Sequence, residues 1–233
     1  MIYFAHRGAS AEAVQNTLPA FKRAQELGAS YYELDVHLTK DGELTVHHDY
    51  SLLNTAGTDA EIKNMSFAEL RRYPLINAFN GEAVFVPRLE EVLPIIASGL
   101  ECLNVELKND DNRYPGIEEK LLFFLQKNFA GLLPKILFSS FDYPTLARLR
   151  AFDKTLRIGL LTRAFDVSAA LGLGAESVHM NHTRFTPEIA QNCHANGLKI
   201  YLYTVNDAVL ARQLAASGAD GIFTDKIGMF LEK

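Results

Sequence analysis

The sequence predicts an α/β protein with a (β/α)8, or TIM, barrel fold. The chain has 233 residues, close to the roughly 250 residues that are typical of one such barrel. Strand-like apolar runs alternate with helical runs along its length, as in βαβ units with a parallel sheet. No GxGxxG or GxxxxGK[ST] motif follows a predicted strand, which disfavours the alternative, an open doubly wound sheet.

Eight short runs of apolar residues predict the barrel strands. They are 2–6, 31–39, 101–108, 135–141, 156–162, 177–183, 199–205 and 221–225. A further run at 43–49 follows the turn KDG at 40–42 and predicts a short return strand outside this count.

Helical periodicity separates these strands. The predicted helices are 17–28, 66–73, 88–98, 116–129, 143–152, 166–172, 186–197 and 207–218. Gly28 gives the first of them a stop signal, and Pro87 precedes the third. Residues 50–85 are polar and irregular apart from one helix, and predict a small insertion over the barrel mouth after the second strand. No linker divides the chain, so we expect one domain over 1–233.

Composition narrows the function classes. The chain is 48% hydrophobic, and its net charge of −5 gives no basic signature for nucleic acid. Cys102 and Cys193 lie far apart, which argues for reduced thiols. No run of about 18 apolar residues predicts a membrane span, and the N-terminus lacks the pattern of a signal peptide. The simplest expectation is a soluble cytoplasmic protein.

Carboxylates lie on the predicted inner face of two strands. Side chains alternate along a strand, so Glu33, Asp35 and His37 share one face, as do Glu106 and Lys108. A barrel interior is normally filled by branched apolar residues. Three carboxylates in one small space repel each other and need a positive group among them to stay ionised.

Two kinds of positive partner fit this pattern. All-oxygen ligation suits a divalent cation, with Mg²⁺ favoured and Ca²⁺ possible. A salt-bridge network with Arg7 and Lys108 explains the same spacing. The spacing alone does not choose between them.

Two histidines end strands of the predicted mouth. His6 closes the first strand just before Arg7, and His48 closes the return strand. Barrel enzymes place their chemistry at this end, where one imidazole can accept a proton while the other donates one. The cations beside them indicate an anionic substrate. We assign His47, His179, His182 and His194 to packing or surface positions, although His182 lies near a strand end, where a place at the site stays open.

Ordered motifs over nearly the whole chain resemble the glycerophosphodiester phosphodiesterase family. The most specific is ELDVHLTKDGELTVHHD at 33–49, and HRG at 6–8 precedes it. VPRLEEVL at 86–93 and NVELK at 104–108 follow in the same order. Weaker matches are SSF at 139–141, YTVN at 203–206 and GADGIFTD at 218–225.

The resemblance implies a barrel that hydrolyses a small-molecule glycerophosphodiester to sn-glycerol 3-phosphate and an alcohol. The implied route uses the neighbouring glycerol hydroxyl as nucleophile and passes through a cyclic phosphate. The resemblance implies that Glu33, Asp35 and Glu106 bind a divalent cation. It implies that His6 and His48 transfer protons, and that Arg7 and Lys108 bind the phosphate.

The chain departs from the family pattern after HRG. Gln15 stands where the family has a glutamate, Val14 where it has a proline, and Tyr203 where a tryptophan is common. The neutral amide leaves open a non-catalytic phosphoester-binding barrel. A lysophospholipase D acting on longer lipids is a second alternative. It requires a wide apolar mouth, and residues 50–85 offer few contiguous apolar residues for one.

Overall fold

A closed parallel barrel forms the centre of the computed structural model, which describes residues 1–231. Its strands are β1 Ile2–His6, β2 Tyr31–Leu38, β3 Leu44–Val46, β4 Cys102–Leu107, β5 Ile136–Ser140, β6 Arg157–Thr162, β7 Ser177–Asn181, β8 Lys199–Tyr203 and β9 Gly221–Thr224. The sheet order is β1-β9-β8-β7-β6-β5-β4-β2, and β1 also pairs with β2, which closes the barrel. β3 lies antiparallel against β2 as a short return strand. The eight barrel strands are the eight predicted ones, so the predicted fold is confirmed.

Helices surround the barrel. They are α1 Leu18–Glu26, α2 Leu53–Ala56, α3 Phe67–Leu70, α4 Leu89–Ile96, α5 Ile117–Asn128, α6 Tyr143–Phe152, α7 Val167–Gly172, α8 Pro187–Ala195, α9 Ala208–Ala216 and α10 Gly228–Leu231. All but α2 and α10 correspond to predicted helices. Several begin a residue later than predicted because the preceding residue is an N-cap. Thr186 and Asp207, for example, accept hydrogen bonds from the backbone N–H of Ile189 and Leu210.

Apolar side chains of the barrel strands pack into two separate hydrophobic cores. Tyr32, Leu34 and Val36 of β2 are buried in one cluster with residues of the surrounding helices. A separate inner cluster fills the barrel, with Phe4, Cys102, Leu137, Tyr201 and Phe223 at its centre. This arrangement leaves the opposite face of β2 to its polar residues, as the alternation predicts.

The segment after β3 has a small core of its own. It contains Leu52, Ile62, Met65, Phe67, Leu70, Leu75 and Val86. That residues 50–85 are an insertion in one domain spanning 1–233 stays a prediction, and residues 232–233 lie outside the described part of the chain. Within residues 1–231, no helix is long and apolar enough to cross a membrane.

Candidate active site

Three carboxylates meet on neighbouring strands at the barrel mouth. Glu33 and Asp35 lie on β2, and Glu106 lies opposite Asp35 on β4. One oxygen of each carboxylate lies within 4.8 Å of the others. Glu33 and Asp35 are buried. The strand pairing therefore brings together the three residues that the sequence predicts as metal ligands.

The three carboxyl groups differ in the direction in which their pKa values are shifted. Burial, reinforced by Asp35, raises the pKa of Glu33 well above its ordinary value, and burial also raises the pKa of Glu106. Burial acts the same way on Asp35, but Arg7 and Lys108 outweigh it and hold the pKa of Asp35 below its usual range. Arg7 Nε lies 3.2 Å from Asp35 Oδ2, and Lys108 Nζ lies 3.7 Å from Asp35 Oδ1. The predicted salt-bridge network and the predicted carboxylate group are thus both present.

The donor set fits a divalent cation. All three side chains offer carboxylate oxygens, which hard cations prefer. Asp35 Oδ1 is buried and has no hydrogen-bond partner among the described residues. A cation at this point would satisfy that oxygen and relieve the repulsion from Asp35 that adds to burial in raising the pKa of Glu33.

His6 is held by a carboxylate from the other end of the chain. Its Nδ1 lies 2.7 Å from Asp225 Oδ1. Ser10 Oγ and Asn206 Nδ2 also donate to Asp225, at 3.0 and 2.7 Å. Burial lowers the pKa of His6, although the Asp225 hydrogen bond opposes that shift. With Nδ1 engaged, Nε2 is the ring nitrogen left for a substrate.

Asp225 is a site residue that the sequence analysis did not assign. It follows β9 directly and belongs to the motif GADGIFTD. Its place after a barrel strand was the available signal, because such positions lie at the catalytic end of the barrel. The distance of 219 residues to His6 hides the pair in the sequence.

His48 is held in a similar way. Its Nδ1 lies 2.6 Å from Asp49 Oδ1, and Asn54 Nδ2 donates to Asp49 at 3.0 Å. The backbone oxygen of His48 lies 3.2 Å from Nε2 of His37, whose Nδ1 lies 2.8 Å from the hydroxyl of Tyr114. Burial lowers the pKa of His48. The two predicted proton-transfer groups thus share one design, an imidazole whose Nδ1 is fixed by an aspartate.

Arg7 is placed by an unusual backbone turn. Its φ is 58°, and its N–H donates to Glu33 Oε2 at 2.9 Å. The next residue, Gly8, has φ +82°, and a Cβ there would lie 2.7 Å from the backbone of Ala20. Arg7 Nη1 donates to Gln15 Oε1 at 2.6 Å. Gln15 therefore supplies an acceptor to Arg7 without adding a negative charge.

Lys108 lies beside the carboxylates. Its Nζ donates to Glu106 Oε1 at 2.9 Å. Arg7 lines the central cavity, whereas Lys108 does not. Of the two predicted phosphate-binding cations, Arg7 lines the cavity itself, and Lys108 lies behind the lining residue Glu106.

The remaining histidines do not line the cavity. None of the four assigned to packing or surface positions lines it: His47, His179, His182 and His194. His182 Nδ1 lies 3.2 Å from the backbone oxygen of Tyr203. The Tyr203 side chain does line the cavity.

A cavity of about 200 Å³ joins these groups. Its polar lining comprises His6, Arg7, Glu33, His48, Asn104, Thr204 and Glu106, and its apolar lining comprises Phe141, Leu161, Tyr203 and Phe223. It lies at the carboxyl ends of the strands, where barrel enzymes bind their substrates. Fold and site together define a barrel enzyme for a small anionic substrate.

Comparison with known proteins identifies the family. The sequence profile of the glycerophosphoryl diester phosphodiesterase family matches residues 6–229, and the chain belongs to that family. A glycerophosphodiester phosphodiesterase of Caldanaerobacter subterraneus subsp. tengcongensis is 35% identical over 232 residues, covering 96% of this chain and 93% of the relative. The chain is accordingly a phosphodiesterase of the glycerophosphodiester class.

Solved structures of the same kind share the fold. A phosphodiesterase of Oleispira antarctica, in complex with the product sn-glycerol-3-phosphate, superposes with a TM-score of 0.91 at 28% identity, covering 98% of this chain and 94% of that one. A glycerophosphodiester phosphodiesterase of Thermotoga maritima gives a TM-score of 0.79 at 27% identity, covering 99% and 97%.

Proposed function

We propose that the protein hydrolyses glycerophosphodiesters to sn-glycerol 3-phosphate and an alcohol, with His6 and His48 as the proton-transfer pair. One observation carries this proposal: two imidazoles, each with Nδ1 held by an aspartate, line one cavity beside the carboxylate trio. The product bound to the Oleispira antarctica enzyme supports the choice of substrate.

The trio Glu33, Asp35 and Glu106 would hold a divalent cation. We favour Mg²⁺, because few carboxylates together with waters and substrate oxygens suit it, and Ca²⁺ is the alternative. When bound, the cation supplies polarisation of a phosphoryl oxygen and neutralises developing negative charge.

Residues of the chain bind the phosphodiester and transfer the protons. Arg7, assisted by Lys108, binds the phosphodiester oxygens and orients the phosphorus. One histidine removes the proton from the neighbouring glycerol hydroxyl, whose oxygen attacks phosphorus. The other histidine protonates the leaving alcohol oxygen, which gives a cyclic phosphate. Water then opens the ring with the two histidines in exchanged roles. Each transfer typically contributes about 10²–10⁴-fold to the rate.

The test is release of glycerol 3-phosphate from glycerophosphocholine after EDTA treatment and separate return of Mg²⁺, Ca²⁺ or Mn²⁺. We expect one or more of these metals to restore turnover. His6→Ala and His48→Ala are each expected to lower kcat at least about 100-fold. His194→Ala, at the surface beside Asp220, is the matched control. Unchanged turnover in both His6→Ala and His48→Ala would refute the assignment.

The contact between Arg7 and the uncharged amide of Gln15 is the one observation that would favour the alternative of the sequence analysis, a non-catalytic phosphoester-binding barrel, over the phosphodiesterase that the family match supports. In that case the folded protein binds glycerophosphocholine in saturating metal without turning it over. Appearance of turnover in Gln15→Glu alone would then assign the defect to this amide.

A further inference from the structure

Two arginines lie at the barrel mouth on the side away from the phosphodiester site. Arg163 directly follows β6, and Arg184 ends the short 3₁₀ turn that follows β7. Around the closed barrel, β6 is four strands from β1 and β7 is four strands from β2, which is the greatest separation in a ring of eight strands. Both arginines therefore lie across the mouth from Arg7, which follows β1, and from Asp35, which lies on β2.

Both arginine side chains are exposed. The ion pairs within residues 1–231 use other arginines, and no carboxylate in that range pairs with Arg163 or Arg184. Asp166, the acid nearest to Arg163 in the sequence, accepts from the N–H of Ser168 as the N-cap of α7. The chain has a net charge of −5, so two positive charges without an acidic partner make this part of the mouth a local attractor for anions.

Arg163 is fixed against the lining of the catalytic cavity. Its Cζ lies 4.5 Å from the centre of the Phe141 ring, and Phe141 lines the cavity. Stacking of this kind uses the flat face of the guanidinium group, and its N–H groups stay available in the plane for an anion. The Thr162 hydroxyl accepts from the N–H of Ala164 at 3.1 Å, which holds the turn that carries Arg163.

Arg184 is joined to Arg163 and acts on the same wall of the cavity. Its Nη1 donates to the backbone oxygen of Arg163. The hydroxyl of Tyr203, which lines the cavity, donates to Thr162 O at 3.4 Å, directly before Arg163. Burial, together with the charge of Glu106, raises the pKa of Tyr203, and the charges of Arg163 and Arg184 oppose that shift. The Tyr203 side chain thus lies between the catalytic carboxylates and the two arginines.

We propose that Arg163 and Arg184 form a second anion site, which binds a carboxylate or phosphate group carried by the alcohol part of the diester. This rests on the proposed function, which places the phosphodiester at Arg7. The glycerol part has only hydroxyl groups, so the second anionic group belongs to the alcohol. Guanidinium groups suit both anions, because they bind each through two parallel hydrogen bonds. The preferred substrates are then glycerophosphodiesters whose alcohol carries a negative charge.

The test compares three esters of sn-glycerol 3-phosphate that differ only in the group that ends the alcohol. The alcohols are γ-hydroxybutyrate, its neutral isostere γ-hydroxybutyramide, and propanediol monophosphate. Kd is measured by calorimetry and KM by release of glycerol 3-phosphate, both in saturating Mg²⁺. We expect Kd and KM to be about fivefold lower for the better of the two charged esters than for the amide, as two partly exposed ion pairs give. This difference should shrink with added salt.

The two charged esters distinguish a carboxylate site from a phosphate site, and a preference for either one over the amide supports the proposal. Equal values for all three esters would overturn it. Turnover of all three with equal KM would leave the proposed catalysis intact. Charge-dependent binding without turnover of any ester would support the second anion site and refute the proposed catalysis.

Variants locate the effect. Arg163→Gln and Arg184→Gln are each expected to reduce the preference for a charged ester at least about twofold, and the double variant to abolish it. Arg212→Gln, at an exposed position on α9 outside the cavity lining, is the matched control and should keep the full preference. An undiminished preference in the double variant would overturn the proposal, because it would show that the added anion binds elsewhere, such as at the catalytic cation.

Discussion

At the scale of single residues, the contact between His6 and Asp225 makes a specific prediction. Asp225→Asn replaces a carboxylate acceptor with an amide that can donate to Nδ1 and so favour the wrong tautomer of His6. By analogy with other histidine–aspartate pairs, we expect kcat for glycerophosphocholine to fall about 10²–10⁴-fold, with little change in KM because Arg7 still binds the phosphate. Steady-state kinetics with both parameters resolved would check this.

The molecule offers a matched control for that substitution. Asp220 pairs with His194 at 3.0 Å on the surface. Asp220→Asn removes a comparable carboxylate from a histidine that lies away from the cavity, so kcat is expected to stay within about twofold of the original. If Asp225→Asn changes KM while kcat stays the same, the result would contradict a role for Asp225 in orienting His6.

Residue-scale prediction from sequence is possible where a motif is local. HRG and the run from Glu33 to Asp49 named both histidines, the β2 carboxylates and Arg7, because their order in the chain is the signal. It fails for Asp225, whose partner lies at the opposite end of the chain and becomes adjacent when β1 pairs with β9. The left-handed backbone of Arg7 was also beyond reach, since arginine has no preference for that conformation.

At the scale of elements, β2 also carries His37, which connects the hydroxyl of Tyr114 to the backbone oxygen of His48. Tyr114→Phe would leave His37 Nδ1 buried without a partner, which costs about 1–3 kcal/mol. We expect a lower free energy of unfolding by that amount, together with a reduced kcat as His48 loses a fixed backbone. Urea denaturation and kinetics on the same preparation measure both.

Tyr143→Phe provides the comparison for Tyr114→Phe, because Tyr143 lies on α6 and is 40% exposed. It is expected to change neither the free energy of unfolding nor kcat appreciably. If Tyr114→Phe lowers stability while kcat stays unchanged, the contact through His37 supports the fold alone and does not position His48.

The segment after β2 shows where element prediction reaches its limit. Periodicity predicted one helix, close to α3, but α2 is too short for a periodic signal. The groove beside the mouth was missed for a related reason. The sequence analysis looked for contiguous apolar residues, whereas Val14 and Phe79 belong to separate loops that line one groove.

At the scale of the whole molecule, the barrel could be predicted because repeated βα units admit few topologies. Eight strands with short connections close readily, and closure places every strand end at one mouth. The size of the cavity could not be predicted. It depends on which side chains point inward at each level of the barrel, and on the register between strands, such as Asp35 opposite Glu106.

The barrel interior also makes the stability of the molecule depend on pH. His179 lies fully buried on β7, and burial lowers its pKa to about 3. The unfolded chain, with a histidine pKa near 6.5, therefore binds a proton that the folded state excludes, and stability falls as the pH drops from about 6.5 towards 3. Between pH 7 and pH 5 this single group lowers the free energy of unfolding by about 2 kcal/mol.

His179→Gln removes the titrating group. Its free energy of unfolding in urea is therefore expected to fall by about 2 kcal/mol less between pH 7 and pH 5 than that of the original protein, whatever its stability at pH 7. His194→Gln, at an exposed position, should retain the original dependence. Equal pH dependence in His179→Gln and the original protein would show that the acid sensitivity of the barrel arises elsewhere.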